Sequence, residues 1–217
     1  MSILQQLRTL GANRPLSHNE ARSITERQAA RLRKLLDVED DYIFPATTID
    51  DLPHITVTLD HAPSTDGRAM QESGITGWSP EDRSWHIFIN PDHHVHRQRF
   101  SLLHEYKHVI DYPVYQTAYP ATARASHEER REAICDYFAA CVLMPRVLVR
   151  RAWTGFSQDP KELAGLFGVS PAAMRYRLTD LGLLERQRCQ TTFFRTTPTE
   201  PQGDLISASV ATAGAAP

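Results

Sequence analysis

The sequence predicts an α+β fold: a small, mostly antiparallel sheet packed on helices, followed by a C-terminal helical module of helix-turn-helix type. Three observations predict it. Short runs with period-two alternation cluster between residues 42 and 90, separated by Pro, Gly, Asp and Ser. Longer stretches on either side carry apolar residues at three-to-four spacing, the period of a helix with one buried face. Near residue 168 two short helical stretches meet at Gly168-Val-Ser170, the break that a turn between packed helices needs.

The first helix is expected between about Pro15 and Asp37, where Ile24, Ala29, Leu32, Leu35 and Leu36 form one apolar stripe and Ser17 with Glu20 makes a capping box. Three strands follow, Ile55–Leu59, Gly74–Trp78 and Trp85–Asn90, the last two joined by a hairpin connection at 79–84. The stretch Pro63–Arg68 between the first two reads as an exposed loop, either bordering a cleft or a plain surface turn. A helix then starts at Pro91 and Asp92 and runs until Pro113, which has no N–H to continue it. After a loop rich in Tyr and Pro, residues 128–144 form a second long helix ended by Pro145, with Ala133, Phe138, Ala139, Val142 and Leu143 on its apolar side. Beyond Asp159, a short helix, the turn at Gly168, and a helix with Ser170 as cap and Pro171 in its first position complete the ordered chain. From about Gln187 the periodicity is lost among Thr, Pro, Ser, Ala and Gly, and a flexible tail with one apolar spot, Phe193-Phe194, is expected. The expected units are therefore residues 1–155, a helix-turn-helix-like module at 156–186, and a tail at 187–217.

Composition narrows the function. A chain of 217 residues that is 41% hydrophobic can build one substantial core and a small appended module. Its 24 Lys and Arg against 26 Asp and Glu give a formal charge of −2, with no positive field to draw phosphate, so no stable nucleic-acid complex is expected. The 160–184 segment shares this balance: Lys161, Arg175 and Arg177 stand against Asp159, Glu162 and Asp180. Packing on the core, or holding a protein substrate, fits that segment better than gripping DNA. No run approaches the ~18 apolar residues of a membrane span, and the N-terminus lacks a basic stretch followed by an apolar one. No membrane partner is expected. Cys135, Cys141 and Cys189 are too few and too irregular for a disulfide framework, which suits a reducing cytoplasm.

The chemistry lies in His104-Glu105-x-x-His108. Residues i and i+4 of a helix project from one face about 5–6 Å apart, so two imidazoles reach one small cation, and Glu105 stands beside it as a base for an attacking water. With 10 His in the chain, a chance match has a probability on the order of a few per cent, so support is needed elsewhere. The second long helix offers it. Glu132 is a candidate third ligand, and Asp136, one turn on, is placed to accept the free ring N–H of a ligand histidine. Glu128, a turn earlier on the same face, competes with Glu132, and Cys135 is a soft-ligand alternative that reads more simply as a small core residue. His93, His94 and His96 lie two or more turns from His104 and read as a solvated helix start.

The ordered set Ile87-x-Ile-Asn90, Arg99-Phe-Ser-Leu-Leu-His-Glu-x-x-His108, Glu132-x-x-x-Asp136-x-Phe-Ala-Ala140, Leu143-Met-Pro145 and Leu163-Ala-x-x-Phe-x-Val-Ser170 resembles the ImmA/IrrE family of metallopeptidases, over about Pro15 to Leu184. The resemblance implies a compact zincin-like domain at 1–155 that binds Zn2+, with Mn2+ as an alternative occupant, through His104, His108 and Glu132, with Glu105 as the base. It also implies a protein substrate, a helix-turn-helix repressor whose cleavage relieves repression of a mobile element or stress regulon. Two departures stand out: Cys135 occupies a position where small Ala is common, and the tail has no counterpart. The expected substrate edge is Ile75–Trp78 or Trp85–Asn90, and Tyr106, Tyr112, Tyr115, Tyr119 and Tyr137 all remain candidates to stabilise the oxyanion. The competing reading is a non-catalytic transcriptional regulator or partner-binding protein that uses the C-terminal module, with a structural or vestigial metal site.

Overall fold

The computed structural model describes residues 1–60 and 73–185. The segments expected at Pro63–Arg68 and from Gln187 onward lie outside the described residues. The chain runs α1 (Ile3–Arg8), α2 (His18–Leu35), a 3-10 turn (Ala46–Ile49), β1 (Ile55–Leu59), β2 (Gly74–Ser79), β3 (Ser84–Ile89), α3 (Val95–Asp111), α4 (Tyr115–Ala118), α5 (His127–Leu143), α6 (Arg146–Gly155), α7 (Pro160–Phe167) and α8 (Pro171–Asp180). The fold is α+β. No helix among these residues is long and apolar enough to cross a membrane.

Helix α2 starts where its capping chemistry dictates: Ser17 Oγ accepts the Glu20 N–H and Glu20 Oε2 accepts the Ser17 N–H, at 3.3 and 2.9 Å. The same reciprocal cap recurs at Ser126 and Glu129 and begins α5. Both helices bury their apolar faces on each other, and α5 also packs on α3. Helix α3 begins at Val95, later than Pro91, because the His94 ring accepts the His96 N–H at 3.2 Å and so supplies the cap.

The sheet has the order β1-β3-β2, with β2 antiparallel and β1 parallel to β3. It is therefore mixed, one pair of each kind, where the sequence suggested mostly antiparallel pairing. The short turn at 79–84 forces β2 and β3 into a hairpin, and β1 then joins the other side of β3 in the same direction as β3. The central position of β3 explains why Trp85, Ile87 and Ile89 are all buried. It also rules out Trp85–Asn90 as an edge, leaving β2, among the described residues, as the edge strand beside α3.

Helix α3 is the centre of the molecule. Leu103, Tyr106, Val109 and Ile110 bury one side in the main core, while β2 and β3 cover another. Lys107 is wholly buried, its Nζ donating to Gln28 Oε1 at 2.6 Å and Asp111 Oδ1 at 2.7 Å, and Tyr119 donates to the other oxygen of Asp111. A buried ammonium is tolerated only with such partners.

The C-terminal helices share that core. Leu163, Phe167, Met174 and Leu178 belong to the same buried cluster as Leu103 and Phe138. Gly168 ends α7 with φ +59, the left-handed conformation that favours glycine, and Ser170 caps α8 by accepting the Ala173 N–H at 3.1 Å. The Arg99 guanidinium donates to the Gly168 carbonyl and, at 2.8 Å, to that of Phe44. A Cβ on Gly168 would lie 2.7 Å from Arg99 Nη1, so the turn and its clamp fit each other only with glycine. Arg177 is buried and donates from Nε to the Met144 carbonyl at 3.0 Å.

Candidate metal centre

His104 and His108 project from one face of α3, one turn apart, and α5 crosses in front of them carrying Glu132. Three side chains meet there: His104 Nε2 lies 3.0 Å from Glu132 Oε2, His108 Nε2 lies 3.3 Å from Glu132 Oε1, and the two Nε2 atoms are 3.1 Å apart. Ligands at the usual ~2.0–2.1 Å around a tetrahedral zinc stand about 3.3–3.4 Å from one another, so the three separations match the edges of such a site to within a few tenths of an ångström. Asp136 Oδ1 is 2.8 Å from His104 Nδ1 and accepts its N–H, so Nε2 is the ring nitrogen turned to Glu132 and His108. The donor set of two imidazoles and a carboxylate fits a divalent cation of borderline softness.

The electrostatics agree. Burial lowers the His104 pKa, but the hydrogen bonds to Asp136 and Glu132 outweigh it, and the ring is pushed up to about 10. Burial likewise works against the Glu132 carboxylate, yet its contacts with His104 and His108 hold it well below the ordinary range. The pocket between these groups is one that favours positive charge.

Of the two competing glutamates, Glu132 is the one brought to the histidines. Glu128 is held by Arg131 at 2.7 Å, and Arg131 also approaches Glu132 Oε1 at 3.5 Å. Cys135 is buried, and it also stands close to the histidines. Its Sγ lies 3.4 Å from His108 Nδ1, and a donor group of His104, His108 and Cys135 can be drawn within 4.8 Å. The sulfur, however, faces the ring edge opposite the Nε2 that meets Glu132. Burial also pushes its thiol well up, away from the thiolate a metal requires. The set with Glu132 is therefore preferred, and Cys135 sits behind His108 as Asp136 sits behind His104. His93, His94 and His96 belong to no such group among the described residues. His94 and His96 nonetheless line the mouth of the same cleft, their rings 4.5 Å apart.

Glu105 is buried beside this point, 8% exposed. Thr76 on β2 donates its hydroxyl to Glu105 Oε2 at 2.8 Å. A Cβ on Gly74 would come within 3.0 Å of Glu105 Cγ, so this glycine lets the strand lie against the acid. The residues meet in a cleft of about 1720 Å³, bounded by Ser73–Trp78 on one side, Tyr112, Tyr115 and Arg131 on another, and Val169, Ser170 and Ala173 of the C-terminal helices. That volume exceeds the ~300–1,000 Å³ typical of small-molecule sites and suits a longer, extended ligand. Among the tyrosines, only Tyr112 and Tyr115 line it. Tyr106 is fully buried, and Tyr119 and Tyr137 donate to Asp111 and Glu26.

Thr76 and Gly74 were not foreseen in the sequence, because what brings them to Glu105 is the pairing of β2 on β3, and no local signal reports it. The stretch from Arg99 carried a readable clue in its resemblance, though its physical reason, the clamp on Gly168, lies 69 residues away.

Comparison with known proteins follows the same lines. No curated protein matches the chain. Among solved structures, a transcriptional regulator from Mycobacterium tuberculosis shares the fold with a TM-score of 0.54 at 18% identity, covering 87% of this chain and 54% of that one. The chain thus spans about half the length of that protein. The family model Peptidase_M78, described as the IrrE N-terminal-like domain, matches residues 63–179. This match takes in the helix with both histidines, the helix with Glu132 and most of the C-terminal helices, more than half the sequence, and the chain belongs to that peptidase family.

Proposed function

We propose that this chain is a zinc-dependent endopeptidase of the cytoplasm, with Mn2+ as an alternative occupant, that cuts a protein substrate. By its resemblance to the ImmA/IrrE family, that substrate is a helix-turn-helix transcriptional repressor, and cutting it relieves repression of a mobile element or stress regulon. The observation that carries the reading is the meeting of His104 Nε2, His108 Nε2 and the Glu132 carboxylate within 3.0 to 3.3 Å, beside Glu105. Lone-pair-bearing atoms so close repel one another unless a proton or a cation lies between them.

When bound, the metal supplies Lewis acidity, polarising a scissile carbonyl and making a water acidic near neutral pH. His104, His108 and Glu132 hold it, and Asp136 keeps His104 in the tautomer whose Nε2 is free to ligate. Glu105 removes the proton from the attacking water and passes it to the departing amine. The outer edge of β2 accepts an extended segment of substrate, and the cleft walls around Trp78 and Tyr112 shield the reacting bond.

Glu105→Gln tests this directly. The amide keeps the shape and the metal but cannot take up a proton, so cleavage of a co-expressed helix-turn-helix repressor should fall by about 10²–10⁴-fold. Cleavage at the wild-type rate would remove Glu105 from the mechanism. Metal analysis should find about one zinc per chain, lost on replacing both His104 and His108 by Ala, with the fold retained.

A regulator that does not cut is the second reading, favoured by the likeness in fold to a transcriptional regulator and by the α7–α8 arrangement. Against it stands the donor set. A structural zinc is closed by four protein ligands and has no use for a base, whereas three donors and a glutamate meet here among the described residues.

A further inference from the structure

We propose that Thr76 is a positioning residue for Glu105, holding one carboxylate oxygen so that the other meets the reacting water; the inference rests on the peptidase reading above. The hydroxyl donates to Oε2 at 2.8 Å, and among the described residues Oε1 receives no hydrogen bond. A carboxylate only 8% exposed needs a partner, and a threonine hydroxyl has one proton to give. Threonine is also stiff at χ1, so its oxygen marks a fixed point in the cleft.

A second observation is independent of that hydrogen bond. Gly74, two residues earlier on the same face of β2, has its backbone so close that a Cβ would stand 3.0 Å from Glu105 Cγ and 3.3 Å from Oε1. The glutamate is thus confined by contact at Gly74 and by a hydrogen bond at Thr76. Both positions are set from the core, because Gly74 and Thr76 pair with Ile89 and Ile87 of β3, which are 1% and 0% exposed. The strand proposed to receive substrate, an edge strand among the described residues, therefore also aims the base. One device fixes the substrate backbone and the proton acceptor in a common frame, which is the geometric condition for efficient proton transfer.

Thr76→Val removes the hydroxyl at nearly constant shape, and Thr76→Ser keeps it. Purified, zinc-loaded wild type, both variants and Glu105→Gln would be assayed on a fluorescence-quenched pool of randomised decapeptides, with zinc content and thermal midpoint measured in parallel. Thr76→Val should lose about 10- to 100-fold in apparent kcat, the range for one hydrogen bond to a charged group, with apparent KM within about twofold and zinc content unchanged. Thr76→Ser should recover to within about threefold of wild type. Wild-type kcat in Thr76→Val overturns the inference while leaving the peptidase reading intact. So does loss of zinc in Thr76→Val, or a Thr76→Ser chain as slow as Thr76→Val, since the strand and not the hydroxyl would then carry the effect. A wild-type chain no faster than Glu105→Gln overturns the peptidase reading and this inference together.

Discussion

Two carboxylates one turn apart on α5 stand in different places around the histidines, and the different tasks proposed for them are measurable. Glu132 faces both Nε2 atoms, whereas Asp136 touches only the far nitrogen of His104. Replacing Glu132 by Ala should abolish stoichiometric zinc at micromolar metal, whereas Glu128→Ala, which removes only a partner of Arg131, should leave zinc content near wild type. Asp136→Ala should lower zinc affinity by about 10–100-fold without changing the stoichiometry, as read by competition with a chromogenic chelator. That the two histidines would stand together was legible because a helix turns i+4 spacing into adjacency, and Glu132 was picked out as their proposed partner because Asp136 follows it at the same interval. The role of Thr76 was not, since a threonine in a strand is ordinarily there for its β-branched shape and only the packed sheet shows what its hydroxyl reaches.

At the scale of elements, the joints between helices carry consequences that their own sequences do not announce. Gly168→Ala must place a Cβ 2.7 Å from Arg99 Nη1 in a left-handed conformation, and should cost about 1–3 kcal/mol in denaturant unfolding. Zinc ligands should remain in place, because none lies in α7 or α8. The α2–α5 contact offers a test by pH. Burial works against the charge on Glu26, but hydrogen bonds from Tyr137 and Arg146 prevail and lower its pKa below 4.5. A depressed folded pKa gives stability that is present above the unfolded value and lost as pH falls through the folded one. Glu26→Gln should therefore be less stable than wild type near neutrality, and the gap should close in unfolding curves taken progressively below pH 4.5. The strands themselves could be read from alternation and turn residues. Their order could not, because a period of two says which face is buried and nothing about how many neighbours a strand has. For that reason Trp85–Asn90 remained a candidate edge until its pairing on both sides was known.

For the whole molecule, charge and packing point the same way. A net charge of −2 leaves no excess of cations to displace counterions, and Arg177, one of the few basic residues of the C-terminal helices, is buried against Met144 and Asp180. Fluorescence anisotropy at physiological salt should show no nanomolar, sequence-selective DNA binding, and weak binding at low salt should vanish as salt rises. The sequence suggested a helix-turn-helix-like module at 156–186 packed on or near the first domain. Their apolar residues join the main core cluster, and Val169, Ser170 and Ala173 form one wall of the cleft, an arrangement that depends on contacts across many tens of residues.

The buried Lys107 has a further consequence for the helix on which the chemistry stands. Lys107 is anchored to Gln28 of α2 and to Asp111 one turn on, one residue before His108. Rolling α3 about its axis, which would swing both imidazoles out of register, must drag that ammonium into apolar surroundings. The helix is thus keyed against rotation by a buried anchor separate from the two histidines. Backbone amides of α3 should exchange with deuterium only through global opening, and stripping the metal should leave their relative protection order unchanged. Lys107→Met should uncouple them, letting the turn around His108 exchange by local fluctuation ahead of the rest of the core.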